Sequence, residues 1–161
     1  MSANGQETEV KFYIRDLKKV ELRLLELKAQ LIQPRVHEIN LRFDFPDGSL
    51  RRDFKVLRLR KDTESKFTFK GPSEEREGGV MSRQEIEFSV GDFESAKQFL
   101  EALGYTPVVF YEKFRTTFEF KDAHLMLDEL PYGTFVEIEG ENIQTLEEIT
   151  HLLGLNWEEM V

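Results

Sequence analysis

The feature that most constrains this chain is the regular alternation of charged and apolar residues in most of its segments. In residues 57–60, with the sequence LRLR, each leucine is followed by an arginine. Successive side chains of a β-strand point to opposite faces, so residues two apart share a face. The alternation therefore predicts strands that each carry one charged face and one apolar face.

We predict eight such strands, separated in several places by turns rich in proline, glycine and aspartate. The predicted strands cover residues 7–14, 37–45, 54–61, 65–70, 82–90, 108–120, 124–130 and 134–140. A segment rich in glycine and glutamate, residues 71–81, is predicted to be a loop. No repeat or long linker interrupts the chain, so residues 1–161 are expected to form a single domain.

Three segments have apolar residues at helical spacing instead. They cover residues 16–32, 92–103 and 145–153. Asp16 and Asp92 are predicted N-caps of the first two helices. Thr145 and Glu148 fit a capping box at the start of the third.

Charge and composition exclude several functional classes. The formal net charge of −9 gives no basis for a general duplex nucleic-acid binder, which usually presents a basic face. The chain has no cysteine, so disulfides and thiolate metal sites are excluded. No segment resembles a signal peptide or is long enough to cross a bilayer, so we expect a cytoplasmic protein with no membrane partner.

The charged strand faces carry seven acidic and eight basic residues, although the whole chain is strongly acidic. An open antiparallel sheet with one face in water would show the same alternation. Two observations favour an enclosed surface: the charges are nearly balanced, and few uncharged polar residues dilute them. The acids are Glu7, Glu9, Glu85, Glu87, Asp128, Glu137 and Glu139, and the bases are Lys11, Arg58, Arg60, Lys66, Lys70, Arg83, Lys113 and Arg115.

We therefore predict an α+β fold, a closed eight-stranded antiparallel β-barrel with a charged lumen and about three flanking helices. Enclosed charges are costly unless they are paired or bind a ligand. Arginine and lysine suit phosphate oxygens, whereas carboxylates suit Mg²⁺ or Mn²⁺. A lumen holding both kinds of residue is what a metal-bound polyphosphate requires.

Several short motifs resemble the CYTH superfamily, the triphosphate tunnel metalloenzymes, in the expected order and over nearly the whole chain. The first is the ExExK pattern at residues 7–11, ETEVK. The others are LRLRK at 57–61, FTFKGP at 67–72, SRQEIEF at 82–88, YEKFR at 111–115, LDELPYGTFVEIEG at 127–140 and LGL at 153–155. The segment 37–45 differs from the usual family version, and its Glu38, Asn40 and Arg42 receive no predicted role.

The resemblance implies a tunnel that binds a triphosphate together with Mg²⁺ or Mn²⁺. It assigns metal binding to Glu7, Glu9, Glu137 and Glu139, with Glu85 and Glu87 as further candidates and Asp128 either binding metal or orienting basic groups. It assigns phosphate binding to Lys11, Arg58, Arg60, Lys66, Lys70, Arg83, Lys113 and Arg115. Glu137, Glu139 and Lys11 are the predicted catalytic residues.

The family contains two activities that share most of one site. Attack by water would make the protein a triphosphatase acting on inorganic, thiamine or nucleoside triphosphate, which is the leading prediction. Attack by the ribose 3′-hydroxyl of ATP would make it a class IV adenylate cyclase. A non-catalytic polyphosphate- or nucleotide-binding module is a third hypothesis. The sequence leaves the oligomeric state open, with a homodimer as one option.

Overall fold

The computed structural model describes residues 6–161, apart from the side chains of Gln6, Glu7 and Glu77. Its strands are β1 (Gln6–Tyr13), β2 (Gln30–Asp44), β3 (Val56–Lys61), β4 (Ser65–Lys70), β5 (Glu74–Glu75), β6 (Met81–Val90), β7 (Thr106–Phe120), β8 (Ala123–Leu130) and β9 (Gly133–Gly140). Its α-helices are α1 (Leu17–Glu26), α2 (Ser49–Arg52), α3 (Phe93–Ala102) and α4 (Ile143–Leu152). Single 3-10 turns cover Glu77–Gly79 and Trp157–Glu159.

The strands form one antiparallel sheet whose two ends meet. The order is β1-β9-β8-β7-β2-β3-β4-β6, and β1 pairs in turn with β6, where Thr8 lies opposite Ser82. The two-residue strand β5 adds to the start of β6. The predicted eight antiparallel strands are therefore confirmed as a ring, with β5 as a short addition.

The apolar side of the ring is covered by helices, as the alternation predicted. Val10 of β1 and Ile138 of β9 pack in one buried cluster with Leu24 of α1 and Ile149 of α4. A second buried cluster joins the sheet to α3 and includes Leu59 of β3. Because the apolar faces of the strands pack against these helices, the alternating charged residues lie on the inner side of the ring.

Two predicted helix starts are confirmed by their caps. The carboxylate of Asp16 accepts the N–H of Lys19 at 3.2 Å, and that of Asp92 accepts the N–H of Ser95 at 2.8 Å. Each interaction satisfies one of the backbone donors that a helix leaves open in its first turn.

The first helix is shorter than predicted. α1 ends at Glu26, whereas the apolar spacing predicted a helix up to Ile32. Lys28 takes the left-handed conformation with φ +60, and the N–H of Ala29 donates to the carbonyl of Leu24 at 3.0 Å. This closes the helix without a glycine. The apolar residues beyond the turn belong to β2.

Strand β2 is correspondingly longer than predicted and contains Pro34. The register with β7 shifts between Leu31 and Gln33 and again between Gln33 and Val36. Such irregularities are where a sheet tolerates a proline, which has no N–H to donate. The sequence prediction began this strand only after the proline.

The remaining corrections concern where individual helices and strands begin. Helix α4 is capped by Asn142, whose side chain accepts the N–H of Thr145 at 3.2 Å, so the predicted capping box at Thr145 was wrong. The short helix α2 was not predicted, and β3 begins at Val56 instead of Phe54. None of the helices within residues 6–161 combines the length and apolar character needed to cross a membrane.

Candidate active site in the lumen of the ring

The inner side of the ring encloses a cavity of about 830 Å³, which we call the lumen cavity. Its walls come from opposite sides of the ring, so residues far apart in sequence meet across it. The predicted site residues that line it are Glu9, Lys11, Arg58, Arg60, Lys66, Lys70, Arg83, Glu85, Glu87, Lys113, Arg115, Glu137 and Glu139. The structure thus brings together nearly all the charged residues singled out from the sequence.

Glu87 of β6 anchors the basic wall formed by β3 and β4. Its carboxylate accepts the hydroxyl of Thr68 at 2.9 Å and lies 3.4 Å from a guanidinium nitrogen of Arg60. Lys66 and Arg58 approach it at 3.7 and 4.0 Å. Burial raises the pKa of Glu87, but the charges of Arg60, Lys66 and Arg58 and the Thr68 hydrogen bond together outweigh that and hold the pKa below its usual value. The carboxylate therefore stays ionised and fixes the cations around it.

Asp128 lies behind the lumen wall rather than on it. It pairs with Arg115 across β8 and β7, at 2.6 Å to Nε and 2.7 Å to Nη2, and with Lys113 Nζ at 3.0 Å. The residue is fully buried. Burial raises the pKa of Asp128, but these two cations hold it below its usual value. Of its two predicted roles, these contacts fit the orientation of basic groups.

Glu137 of β9 is also held by cations. Its carboxylate accepts Arg115 Nη2 at 3.0 Å and lies 3.8 Å from Lys11 Nζ. Burial raises the pKa of Glu137, but the charge of Arg115 leads the effects that keep it below its usual value. A carboxylate with a low pKa is a weak general base, so this environment favours a positioning role for Glu137.

Glu9 and Glu139 lie directly opposite each other on β1 and β9, and both line the lumen cavity. Like charges in directly opposed positions destabilise a sheet, and a divalent cation relieves that repulsion. Glu7 lies opposite Arg83 in the β1–β6 pairing, but its side chain is outside the described residues, so its metal role stays a prediction.

The carboxylates of Glu9 and Glu139 suit Mg²⁺ or Mn²⁺, but they would fill only part of a coordination shell. Carboxylate oxygens are the right chemistry, and Mg²⁺ is commonly held by one or two carboxylates together with substrate phosphates and water. Among the side chains that the structure describes, no three acidic or histidine residues form a complete metal cluster. The protein alone therefore provides part of a coordination shell, and a phosphate ligand would provide the rest.

The remaining predicted residues lie between these groups. Lys70 Nζ is 4.0 Å from a carboxylate oxygen of Glu85. Arg83 donates through Nε to the carbonyl of Gly71 at 3.1 Å, which ties the lumen wall to the segment that follows β4. Glu85 therefore has a cation beside it, as Glu87 does, and its predicted metal role stays a prediction.

Strand β2 supplies residues on the inner side of the ring for which no role was predicted. Glu38 is almost completely buried, and Asn40 donates to its carboxylate at 3.1 Å. Lys113 Nζ lies 3.9 Å from the same carboxylate. Arg42, two residues further, lines the lumen cavity. The spacing of these three residues, two apart along the strand, predicts that they share a face. It does not predict which cation each residue contacts.

Tyr111 is a lumen residue that the prediction missed. Its hydroxyl accepts Arg58 Nη1 at 3.4 Å. Burial raises the pKa of Tyr111, but the charge and hydrogen bond of Arg58, together with the charges of Lys113 and Arg42, outweigh it and leave the pKa below its ordinary value. Tyr111 shares a strand face with Lys113, two residues away, so the alternation rule would have placed it in the lumen if aromatic residues had been counted.

Comparison with known proteins places the chain in a family. A protein of Methanocaldococcus jannaschii described as a "putative adenylate cyclase" is 29% identical over 155 residues, covering 91% of this chain and 87% of that one. A similarly described structure from Vibrio parahaemolyticus superposes with a TM-score of 0.86 at 20% identity, over 96% and 92% of the two chains. A Hippeastrum protein, reported as an adenylyl cyclase candidate with dominant triphosphatase activity, has a TM-score of 0.68 at 20% identity, over 92% and 88%. The sequence model of the CYTH domain matches residues 5–153, and the chain therefore belongs to the CYTH family.

Proposed function

We propose that the protein binds a triphosphate in the lumen cavity and hydrolyses it in the presence of Mg²⁺ or Mn²⁺. One observation carries the proposal. Arg58 and Arg60, two residues apart on β3, have largely buried side chains, and the Nε atom of each is buried without a hydrogen-bond acceptor within the described part of the chain. A buried donor without an acceptor costs about 1–3 kcal/mol. Both guanidinium groups line the lumen cavity, and a small shift of each side chain would let phosphate oxygens satisfy these donors.

The positive charge around these two donors suits a ligand with several phosphate groups. Nine cationic side chains line the lumen cavity, namely Lys11, Arg42, Arg58, Arg60, Lys66, Lys70, Arg83, Lys113 and Arg115. Several are already fixed by buried acids, as Arg115 is by Asp128. Phosphoryl transfer depends on such preorganised charge more than on covalent chemistry, because little reorganisation is then needed as the transition state forms.

Glu9 is the described residue that we assign to hold the metal, with Glu7 as a predicted second ligand, and Glu139, directly opposite Glu9 on β9, is kept for proton transfer. A bound Mg²⁺ or Mn²⁺ would neutralise charge on the phosphates and polarise the phosphoryl group. Asp128, Glu87 and Glu137 are saturated by protein cations, which favours positioning roles for them. Metal binding thus belongs to fewer carboxylates than the sequence prediction named.

Within the chain, Glu139 is the carboxylate that we assign to accept the proton of the attacking water. Glu137 is less suited, because nearby cations lower its pKa. We assign Lys11, which lies 3.8 Å from Glu137, to neutralise a phosphate group as it leaves. These roles follow the sequence prediction for Glu139 and Lys11 and depart from it for Glu137.

Cyclisation of ATP is the second candidate function. The archaeal relative at 29% identity carries the name of a cyclase, whereas the Hippeastrum structure shares only the fold at its level of identity. Both reactions would use the phosphate-binding side of the lumen in the same way. They differ in the nucleophile, so product analysis separates them.

The test is a panel of tripolyphosphate, thiamine triphosphate and ATP with Mg²⁺ and with Mn²⁺, scored for phosphate release and for cyclic AMP. We expect phosphate as the main product, and Glu9→Ala should abolish turnover while ligand binding persists. Glu112→Ala is the matched control, because Glu112 is an exposed acid that pairs with His37 outside the lumen. Cyclic AMP as the main product would overturn hydrolysis. Binding without turnover under all conditions would favour the non-catalytic module.

A further inference from the structure

Tyr111 is a residue of the lumen wall that has no role in the steps described so far. It lies on β7 between Val109 and Lys113, which line the lumen cavity as it does, and its side chain is half-buried. A tyrosine hydroxyl carries one proton to donate and also accepts hydrogen bonds. The partners on both sides of this hydroxyl therefore show what it can offer to a ligand.

Two hydroxyls accept hydrogen bonds from the guanidinium group of Arg58. Its Nη1 donates to Tyr111 at 3.4 Å, and its Nη2 donates to Thr68 at 3.5 Å. A guanidinium group has no acceptor, so both hydroxyls use an oxygen lone pair in these contacts and keep their own protons for another partner. Thr68 donates its proton to the carboxylate of Glu87 at 2.9 Å. The proton of Thr68 is therefore already bound within the protein.

The surroundings of Tyr111 provide no equivalent acceptor for its proton. The charged groups with the largest effect on its hydroxyl are all cations, namely Arg58, Lys113 and Arg42. Asn40 lies directly opposite on β2, but its amide oxygen is buried without a hydrogen-bond donor from any described residue, so it does not accept this proton. Since the net effect of burial and these cations is a pKa of Tyr111 below the ordinary value, the hydroxyl is a stronger donor than an ordinary phenol.

We propose that Tyr111 is a further phosphate-binding residue, whose hydroxyl donates to an oxygen of the phosphate group that Arg58 binds. The inference rests on the proposed function and adds an uncharged donor to a site otherwise made of cations. An anionic oxygen suits this position, because the surrounding cations attract it and the hydroxyl proton can bond to it at the same time. Thr68 holds Arg58 in the same way but has no proton left for the ligand.

The experiment is a calorimetric titration of tripolyphosphate in a metal-free buffer, so that no turnover occurs. Tyr111→Phe removes the hydroxyl and keeps the ring, whose centroid lies 5.9 Å from the guanidinium carbon of Arg42. Its affinity should fall roughly tenfold, as expected for a lost hydrogen bond to a charged group. Tyr105→Phe is the matched control, because Tyr105 stacks on Phe45 and does not line the lumen cavity, and its affinity should be unchanged.

A third variant separates direct donation to the ligand from an effect through Arg58. Thr68→Val removes the other hydroxyl that accepts from Arg58, at nearly the same distance, and should weaken binding less than Tyr111→Phe. Equal losses in the two variants would show that Tyr111 acts only by holding Arg58 and would overturn the inference. Unchanged affinity in Tyr111→Phe would overturn it too and leave triphosphate binding intact. If the unmodified protein failed to bind tripolyphosphate, the proposed function itself would be contradicted, and the inference with it.

Discussion

Arg58 and Leu59 are neighbours in β3 that serve opposite sides of the ring. The Arg58 side chain faces the lumen cavity, and Leu59 is completely buried in the cluster beneath α3. A single peptide step therefore separates the proposed ligand site from the core. If charged side chains face inward and apolar side chains outward, substitutions at the two positions should change different properties. The Arg58 substitution should weaken ligand binding, and the Leu59 substitution should lower stability.

Leu59→Ala should lower the free energy of unfolding by about 2–5 kcal/mol, because it leaves a cavity under α3. Its affinity for tripolyphosphate, titrated at a temperature where the variant is folded, should stay near that of the unmodified protein. Arg58→Ala should show the reverse, with affinity falling roughly tenfold or more, as expected for a lost hydrogen bond between charged groups. Equal effects of both variants on binding would contradict the arrangement.

The buried ion pairs of Asp128 should contribute much more to stability than an exposed ion pair on the same strand. Asp128→Asn leaves Arg115 and Lys113 buried without their carboxylate, and breaking a buried ion pair from one side costs about 3–5 kcal/mol. Glu129→Gln, one residue along β8, breaks an exposed pair with Arg35 and should cost far less, because solvent screens that pair. Urea unfolding of both variants measures the difference, and similar losses would show that the Asp128 pair adds nothing beyond an exposed pair.

Acid should destabilise the protein through the same buried carboxylates. Asp128, Glu87 and Glu137 have pKa values below their usual range in the folded state. A group of this kind contributes its full stability above its unfolded pKa, roughly pH 4, and loses it as the pH falls through the lower folded pKa. The free energy of unfolding should therefore drop from about pH 5 downward. Asp128→Asn should make the drop shallower, and a stability that rises toward acid would contradict the assignment.

The sequence was most informative where one physical rule decides the outcome. Alternation placed Arg58, Lys113 and Glu139 on the inner face because a strand has only two faces. It could not pair them, because pairing depends on register. Arg115 meets Asp128 only because the turn between β7 and β8 sets those two residues opposite each other, with Lys121 and Asp122 both at positive φ. Nothing in the local pattern fixes that alignment.

The errors have a common origin in competition between local signals. The spacing of Leu27 and Leu31 continued the helical pattern, yet Lys28 ends α1 through a left-handed turn that usually calls for glycine. Pro34 suggested a break, but the register shifts of β2 accommodate it. Phe54 fitted a strand by composition, although its backbone is left-handed. Lys28 and Phe54 take backbone conformations that their residue types rarely adopt, and Pro34 lies where the pairing of β2 with β7 is irregular, so residue type alone does not reveal these three outcomes.

Gly78, in the segment after β5, lies beside Trp157 near the end of the described chain. Both Gly78 and Gly79 have positive φ, at +74 and +77, so alanine at either position is strained, by about 1–2 kcal/mol. A β-carbon on Gly78 would also lie 3.3 Å from the indole Nε1 of Trp157, whereas one on Gly79 would meet nothing within 4 Å. Gly78→Ala should therefore lower the melting temperature more than Gly79→Ala.

Fluorescence separates the two effects, because Trp157 is the only tryptophan of the chain. Its ring is half-buried and packs against the first buried cluster. Displacement by the new methyl group should expose it and shift its emission to the red in Gly78→Ala. Gly79→Ala, which adds the same backbone strain without the contact, should leave the emission unchanged. Identical melting temperatures and spectra for the two variants would show that the indole yields freely and that the contact does not hold this segment in place.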